Sequence, residues 1–187
     1  MAVEEPKYAV VVTAGPFEIR DYPATVVAEV EVSGDREGAS RAGFRILAGY
    51  IFGENVGHKR VPMTAPVGQT GPGEKIAMTA PVSLSANGGN WLVQFTMPSA
   101  YSLGDLPTPK DPRVHLRSVP PARVAVTRFS GLTREPAVSR HTGELRDFIR
   151  DRGLTPTGTP MLARYDPPWT PWFMRRNEVL IGISGET

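Results

Sequence analysis

The chain repeats itself, and a repeat constrains the fold before any single residue does. Phe17-Glu18-Ile19-Arg20 is answered 97 positions later by Val114-His115-Leu116-Arg117. Each copy is followed by Pro-Ala and an alternating strand, and each strand ends in Ser-Gly, Ser33-Gly34 and Ser130-Gly131. A helical segment comes next in both, ending at Gly53 and Gly153. Pro62-Met63-Thr64-Ala65 is then answered 98 positions later by Pro160-Met161-Leu162-Ala163. Four landmarks in one order at nearly constant offset divide one domain, 1–187, into two repeats of about 8–100 and 101–187. Each half reads strand, strand, helix, strand, further strand. A sheet face and a helix stripe must each be buried against another layer. The expectation is therefore an α+β fold: a mostly antiparallel, barrel-like sheet with two helices related by a pseudo-two-fold axis.

The elements follow from periodicity. In Thr25–Val32, Val26, Ala28, Val30 and Val32 point one way and Glu29 and Glu31 the other, which is the period of a half-buried strand. Trp91, Val93, Phe95 and Met97 mark another. Segments 8–13, 17–22, 113–118, 123–129, 159–165 and 178–183 are further strands. A first helix spans about Asp35 to Phe52, with Ser33 or Asp35 as cap and Gly53 as stop. Its core stripe is Ala39, Ala42, Gly43, Ile46, Leu47, Tyr50 and Ile51. A second spans about Arg134 to Arg152, with Thr133 as cap, Pro136 in the tolerated first turn and Gly153 as stop. Val138, Leu145, Phe148 and Ile149 form its apolar face. Proline and glycine, 19 of each, cluster at 68–73, 87–89, 106–112 and 167–171, where they punctuate short strands.

Composition removes several chemistries. With no cysteine there is no disulfide, thiolate catalysis, iron–sulfur cluster or cysteine zinc site. Lys plus Arg is 21 against 19 acidic residues, with no basic run of the nucleic-acid kind. No apolar run approaches the roughly 20 residues of a membrane span, and residues 1–12 lack the pattern of a signal peptide. The default location is the cytoplasm.

Catalytic motifs are missing too. His58, His115 and His141 share no zinc-ligand spacing, and no H-E-x-x-H, G-x-S-x-G, Walker loop or G-x-G-x-x-G occurs. His141 shares the stripe of Val138, Leu145 and Phe148 and reads as a packed histidine; His58 reads as an exposed loop residue. No residue is assigned a catalytic role.

Three features need an explanation. The first is a doubled phrase, Val61-Pro62-Met63-Thr64-Ala65-Pro66-Val67 and Ile76-Ala77-Met78-Thr79-Ala80-Pro81-Val82, read as paired sheet strands with like ends in proline or as two edge strands stopped by proline. The second runs from Tyr165 to Glu178. Here Trp169, Trp172 and Phe173 sit among three prolines, as a stiff wall for a flat ligand or as a cover for one end of the sheet. The third is a flank of the first helix. At about 100° per residue, Arg41, Phe44, Ala48 and Phe52 fall together beside the core stripe, with Arg45 next to them. Such a flank suits a flat apolar ring bearing carboxylates, which arginine can hold with two bonds. Taken alone, it reads more simply as a solvated face with snorkelling arginines.

At these motifs the sequence resembles the SOUL haem-binding family. The match rests on the two Met-Thr-Ala-Pro-Val phrases, 63–67 and 78–82, and on Phe95-Thr96-Met97-Pro98 with Tyr101. It rests also on Tyr165-Asp166-Pro167-Pro168, Arg175-Arg176-Asn177-Glu178-Val179, Phe17–Arg20 and 50–55, colinear over about 8–183. The resemblance implies a distorted antiparallel β-barrel with two helices and a pseudo-two-fold repeat. It implies haem or a related porphyrin held in a shallow apolar groove between the first helix and the loop near the C-terminus. By position, Arg41 matches a helix arginine that meets a haem propionate, and Phe44 and Ala48 match groove-lining residues. Arg45, Phe52, Tyr165, Trp169, Trp172 and Phe173 complete the candidate set. The histidine of histidine-ligated members stands as Asp21 here, and a lysine ligand of another branch as Thr170, so no axial ligand is carried over. Without an axial bond a carrier or buffer is expected. The alternatives are a tetrapyrrole-modifying enzyme such as a haem dechelatase, or a small-molecule effector-binding module.

Overall fold

The computed structural model describes residues 4–56, 73, 75–76, 78–166 and 169–185. In chain order the elements are β1 (Ala9–Ala14), β2 (Phe17–Tyr22), β3 (Thr25–Val32), α1 (Arg36–Ile51), β4 (Asn55–Val56), β5 (Val82–Asn87), β6 (Asn90–Thr96), β7 (Thr108–Pro109), β8 (His115–Val119), β9 (Ala122–Ser130), α2 (Glu135–Asp151), β10 (Thr155–Arg164) and β11 (Arg176–Ser184). Nine strands form one sheet in the order β1-β2-β9-β11-β10-β5-β6-β3-β8, and β4 pairs with β7 apart from it. Every ladder is antiparallel.

Outward from the central β5–β10 ladder, one wing runs β5, β6, β3, β8 and the other β10, β11, β9, β2, with β1 added at its end. Each wing borrows a strand from the other half of the sequence, because β2 pairs with β9 and β8 with β3. Pro62–Ala65, the sequence counterpart of Pro160–Ala163, lies outside the described residues. The strand in the mirror position to β10 is β5.

Among the described residues the sheet does not close, where the sequence reading expects a barrel. No ladder among the described residues joins β1 to β8, so two edges remain. Both edges are blunted. The β1 ladder slips at a bulge between Val10 and Val12, and β8 carries His115 and Arg117. Bulges and charges are the means by which edge strands avoid further pairing.

A second correction concerns the doubled phrase. Its first copy, 61–67, and Ala77 lie outside the described residues. In the second copy Thr79 makes only an isolated bridge to Glu4, and β5 begins at Val82, beyond the cis Ala80–Pro81 bond. Proline has no N–H to give a ladder, so the strand starts after Pro81 rather than ending there. Asn87 pairs with Asn90 across Gly88 and Gly89, whose φ angles of 55° and 93° suit a two-residue hairpin turn.

Asp35 caps α1, accepting the Gly38 N–H at 3.2 Å. Thr133 does not cap α2: Arg134 occupies the cap position with no side-chain bond, and Pro136 lies in the first turn, where a missing N–H costs little. Helix α1 buries Leu47, Tyr50 and Ile51 against Ala28, Val30, Val93 and Phe95. Helix α2 buries Val138, Leu145 and Ile149 against Ile19, Ala125, Val179 and Ile181. Each such side chain contributes about 1.5–3 kcal/mol. Leu84 belongs to the first cluster and Leu162 to the second, and they are register partners. Both helices therefore lie on one face of the sheet. The other face is polar, with Gln94 donating to Glu29 and Arg117 paired with the same carboxylate. Among the described residues no helix is long and apolar enough to cross a membrane.

Candidate functional site

Helix α1 turns its core stripe to β3 and β6, which leaves a flank facing outward. Arg41 and Arg45 are exposed, Phe44 is 39% exposed and Ala48 is buried. Phe44 is not a free surface ring: its edge meets Phe95, with centroids 5.5 Å apart at 61°. Since Phe95 is fully buried, Phe44 is held from beneath and presents its outer side. Arg45 lies about 100° further round than Phe44, away from the sheet. Phe52, just past the helix end, is 57% exposed.

The loop between β10 and β11 is anchored at its base and apolar at its tip. The Tyr165 hydroxyl donates to Glu178 Oε2 at 2.8 Å, and the Arg176 guanidinium lies 3.6 Å over its ring. Asp166 accepts the Arg176 N–H at 2.5 Å. Arg175 Nε donates to the Thr170 carbonyl at 2.8 Å, which ties the loop to itself. Beyond these anchors Trp169, Trp172, Phe173 and Met174 stand exposed, Trp169 to 83%. Trp172 and Phe173 meet edge to face at 5.7 Å. Rings that capped the end of the sheet would be buried, and these are not.

Flank and loop meet at one point. Arg164, the last residue of β10, shares the helix-side face with Leu162, two residues before it. The ladders align Arg164 with Val82, Val82 with Phe95, and Phe95 with Ala28, in a row beneath α1. Arg164 Nη1 reaches Ser40 Oγ of α1 at 3.4 Å. Phe44 stands one helical turn beyond Ser40, and Tyr165 follows Arg164 directly. Arg41, Phe44 and Ala48 thus share a side of α1 with the point where the aromatic loop springs from the sheet.

Asp21 and Thr170, the two positions that the resemblance compares with axial ligands, are both engaged. Asp21 takes two bonds of 2.7 Å from Arg123, which hold its carboxyl below the usual range. It lies on β2, five ladders from β6. Among the described residues no group of three or more His, Asp or Glu could hold a metal ion. His141 is half-buried, its ring stacked on Phe129 at 4.2 Å and its Nδ1 3.0 Å from Glu144. His115 is exposed on β8, and His58 lies outside the described residues, as do 167 and 168.

Sequence reasoning missed a second polar centre, on the face opposite the helices. Arg20 and Glu178 are each 1% exposed and form a two-pronged pair at 2.8 and 3.1 Å. Arg20 also donates to Glu18 at 2.6 Å and to the Tyr22 hydroxyl at 3.1 Å, beneath the Tyr8 ring at 4.2 Å. Burial alone would raise the Glu178 carboxyl. The bonds and charge of Arg20, with the Tyr165 hydroxyl and the Arg128 charge, together outweigh it and leave the group below its ordinary value. The Tyr165 phenol is pushed up by burial and by Glu178 beside it. The early Phe-Glu-Ile-Arg strand and the late Arg-Arg-Asn-Glu strand, 158 residues apart at Arg20 and Glu178, meet in this network and fix the base of the aromatic loop. The available signal was the period of two that puts Glu18, Arg20 and Tyr22 on one side of β2.

Three comparisons bear on the site. The model of the family described as SOUL heme-binding protein matches residues 3–182. The chain is 30% identical over 165 residues to Heme-binding protein 1 of Xenopus tropicalis, covering 87% of this chain and 81% of that protein. The Xenopus laevis protein of the same name is 29% identical over 164 residues, with the same coverage. Among solved structures, the EcmrR C-terminal domain superposes with a TM-score of 0.65 at 10% identity, over 96% of this chain and 99% of that one. A hydrolase from Listeria innocua gives 0.58 at 13% identity, over 93% and 94%. At such identities these two show the fold alone.

Proposed function

The chain belongs to the SOUL haem-binding family, and from that premise we propose that it binds haem or a related porphyrin on the α1 flank, as a carrier or buffer. One observation supports this site above others: the exposed aromatics of the loop follow where the α1 flank meets the sheet, at the Arg164–Ser40 contact. Phe44, Ala48 and Phe52 supply one apolar wall, and Trp169, Trp172 and Phe173 the other. Arg41 and Arg45 at the rim pair with one propionate through charge-assisted bonds. Tyr165 is spent on Glu178 and Arg176, so its part is to hold the loop. The bound haem supplies the iron and the flat apolar face, and the protein supplies the wall and the cations. With apolar burial at about 25 cal/mol per Å² and propionate pairing as the sources of affinity, Kd is on the order of micromolar. On this reading the protein works as a diffusing carrier in the cytoplasm.

The same premise accounts for the architecture. We infer that the two wings are copies of one duplicated unit of strand, strand, helix, strand and strand, exchanging their outer strands across the pseudo-two-fold axis.

Titration with haem, with free-base protoporphyrin as control, tests the function. A saturable shift of the haem absorption band near one equivalent is expected, weakened by Arg41→Glu. An unchanged spectrum in excess haem would dismiss the proposal.

A further inference from the structure

Most buried or half-buried arginines among the described residues are matched to carboxylates. Arg20, Arg36, Arg123 and Arg176 each hold an Asp or Glu. Arg164 is half-buried at the end of β10 and holds none among the described residues. Its Nε is buried with no acceptor, and its Nη1 has only the long 3.4 Å contact to Ser40 Oγ. A guanidinium offers five N–H donors in a fixed fork, so most of this one is unspent. Its surroundings are unfavourable as they stand. Burial and the nearby Arg36 and Arg175 guanidinium groups push its pKa down, and only Glu37 opposes them. Arg36 is already committed to Glu135 and to the Thr133 carbonyl. An arriving anion would satisfy the donors and relieve the repulsion together.

We propose that Arg164 receives a carboxylate of the bound tetrapyrrole at the junction of α1 and the aromatic loop, making this site selective for ligands with free acid groups. This rests on the binding site proposed above and names a specificity-determining residue within it. The fork matches a carboxylate with two parallel bonds, which a lysine cannot reproduce.

The test is fluorescence titration of protoporphyrin IX and of its dimethyl ester, which share a ring and differ in methyl esterification, and so in charge, of the two acid groups. The wild type should prefer the diacid. Arg164→Met should raise Kd for the diacid about tenfold or more and leave the ester unchanged. Arg164→Lys should keep the fold and fall between, and it carries the test if the methionine variant does not fold. A merely structural role would weaken both ligands alike, and that result would overturn the proposal. Unchanged diacid affinity in both variants would overturn it while sparing the binding function. Failure of the wild type to bind either porphyrin would take both down together.

Discussion

Glu178 shows how much of this fold hangs on single charged side chains. A carboxylate at 1% exposure is tolerated because Arg20 meets it with two bonds and Tyr165 with a third. Removing one member of a buried pair leaves the other uncompensated, at about 3–5 kcal/mol. Arg20→Met should therefore lower urea stability by roughly that amount, and a loss below about 1 kcal/mol would show the pair to be dispensable. Acid should have a related effect. The folded-state value of Glu178 lies below its ordinary 4.5, so its contribution is complete above that pH and is lost as pH falls through the folded value. Urea midpoints measured from about pH 6 to about pH 3 should drop more steeply in the wild type than in Glu178→Gln. Equal slopes would assign acid sensitivity to other groups.

Helices α1 and α2 lie on one face of the sheet yet pack differently. A Cβ built on Gly43 of α1 would fall 2.5 Å from Val93 Cγ2 and 2.6 Å from Val93 Cβ. One built on Gly143 of α2 meets nothing within 4 Å. Alanine at Gly43 should cost about 1–3 kcal/mol through overpacking against β6. Alanine at Gly143 should add about 0.5–1 kcal/mol through helix propensity. Thermal melts of the two variants should shift in opposite directions, and a shared sign would contradict the close seating of α1. The aromatic loop is an element of another kind, with its fixed parts at the base and its apolar parts outside. Replacing Trp172 and Phe173 together with serine should leave stability within about 0.5 kcal/mol, because both rings are more than half exposed. Porphyrin affinity in the same variant should fall about tenfold or more. A large loss of stability with affinity intact would make the loop a structural cover.

At the scale of the whole molecule, the interleaved strand order binds the halves together. Strand β2 needs β9, and β8 needs β3, so neither half contains all its own ladder partners. Residues 1–100 expressed alone should show no cooperative thermal transition, while the whole chain should unfold in one step by near- and far-ultraviolet circular dichroism. A folded first half would show that the strand exchange is not needed for stability.

The two helices with their stops at Gly53 and Gly153, and most strands, could be read from the amino-acid order, since period and turn chemistry are local properties. Asp35 as a cap and the buried stripe of α1 were equally legible. Whether the sheet closes was not, because closure depends on whether β1 and β8 find each other, and no local pattern records that. Nor could local pattern show that the Phe-Glu-Ile-Arg and Arg-Arg-Asn-Glu strands share one buried ion network. Charge pairing at that distance in sequence exists only after β2, β9 and β11 have aligned. The aromatics of the loop and the flank of α1 were visible as compositions with two readings each. Tertiary structure decided that the rings stand outside, that the flank abuts the loop's origin at Ser40 and Arg164, and that Arg164 meets no carboxylate among the described residues. Sequence fixes which groups a chain owns and their spacing along it; packing alone decides which of them remain unpaired and so free to meet a ligand.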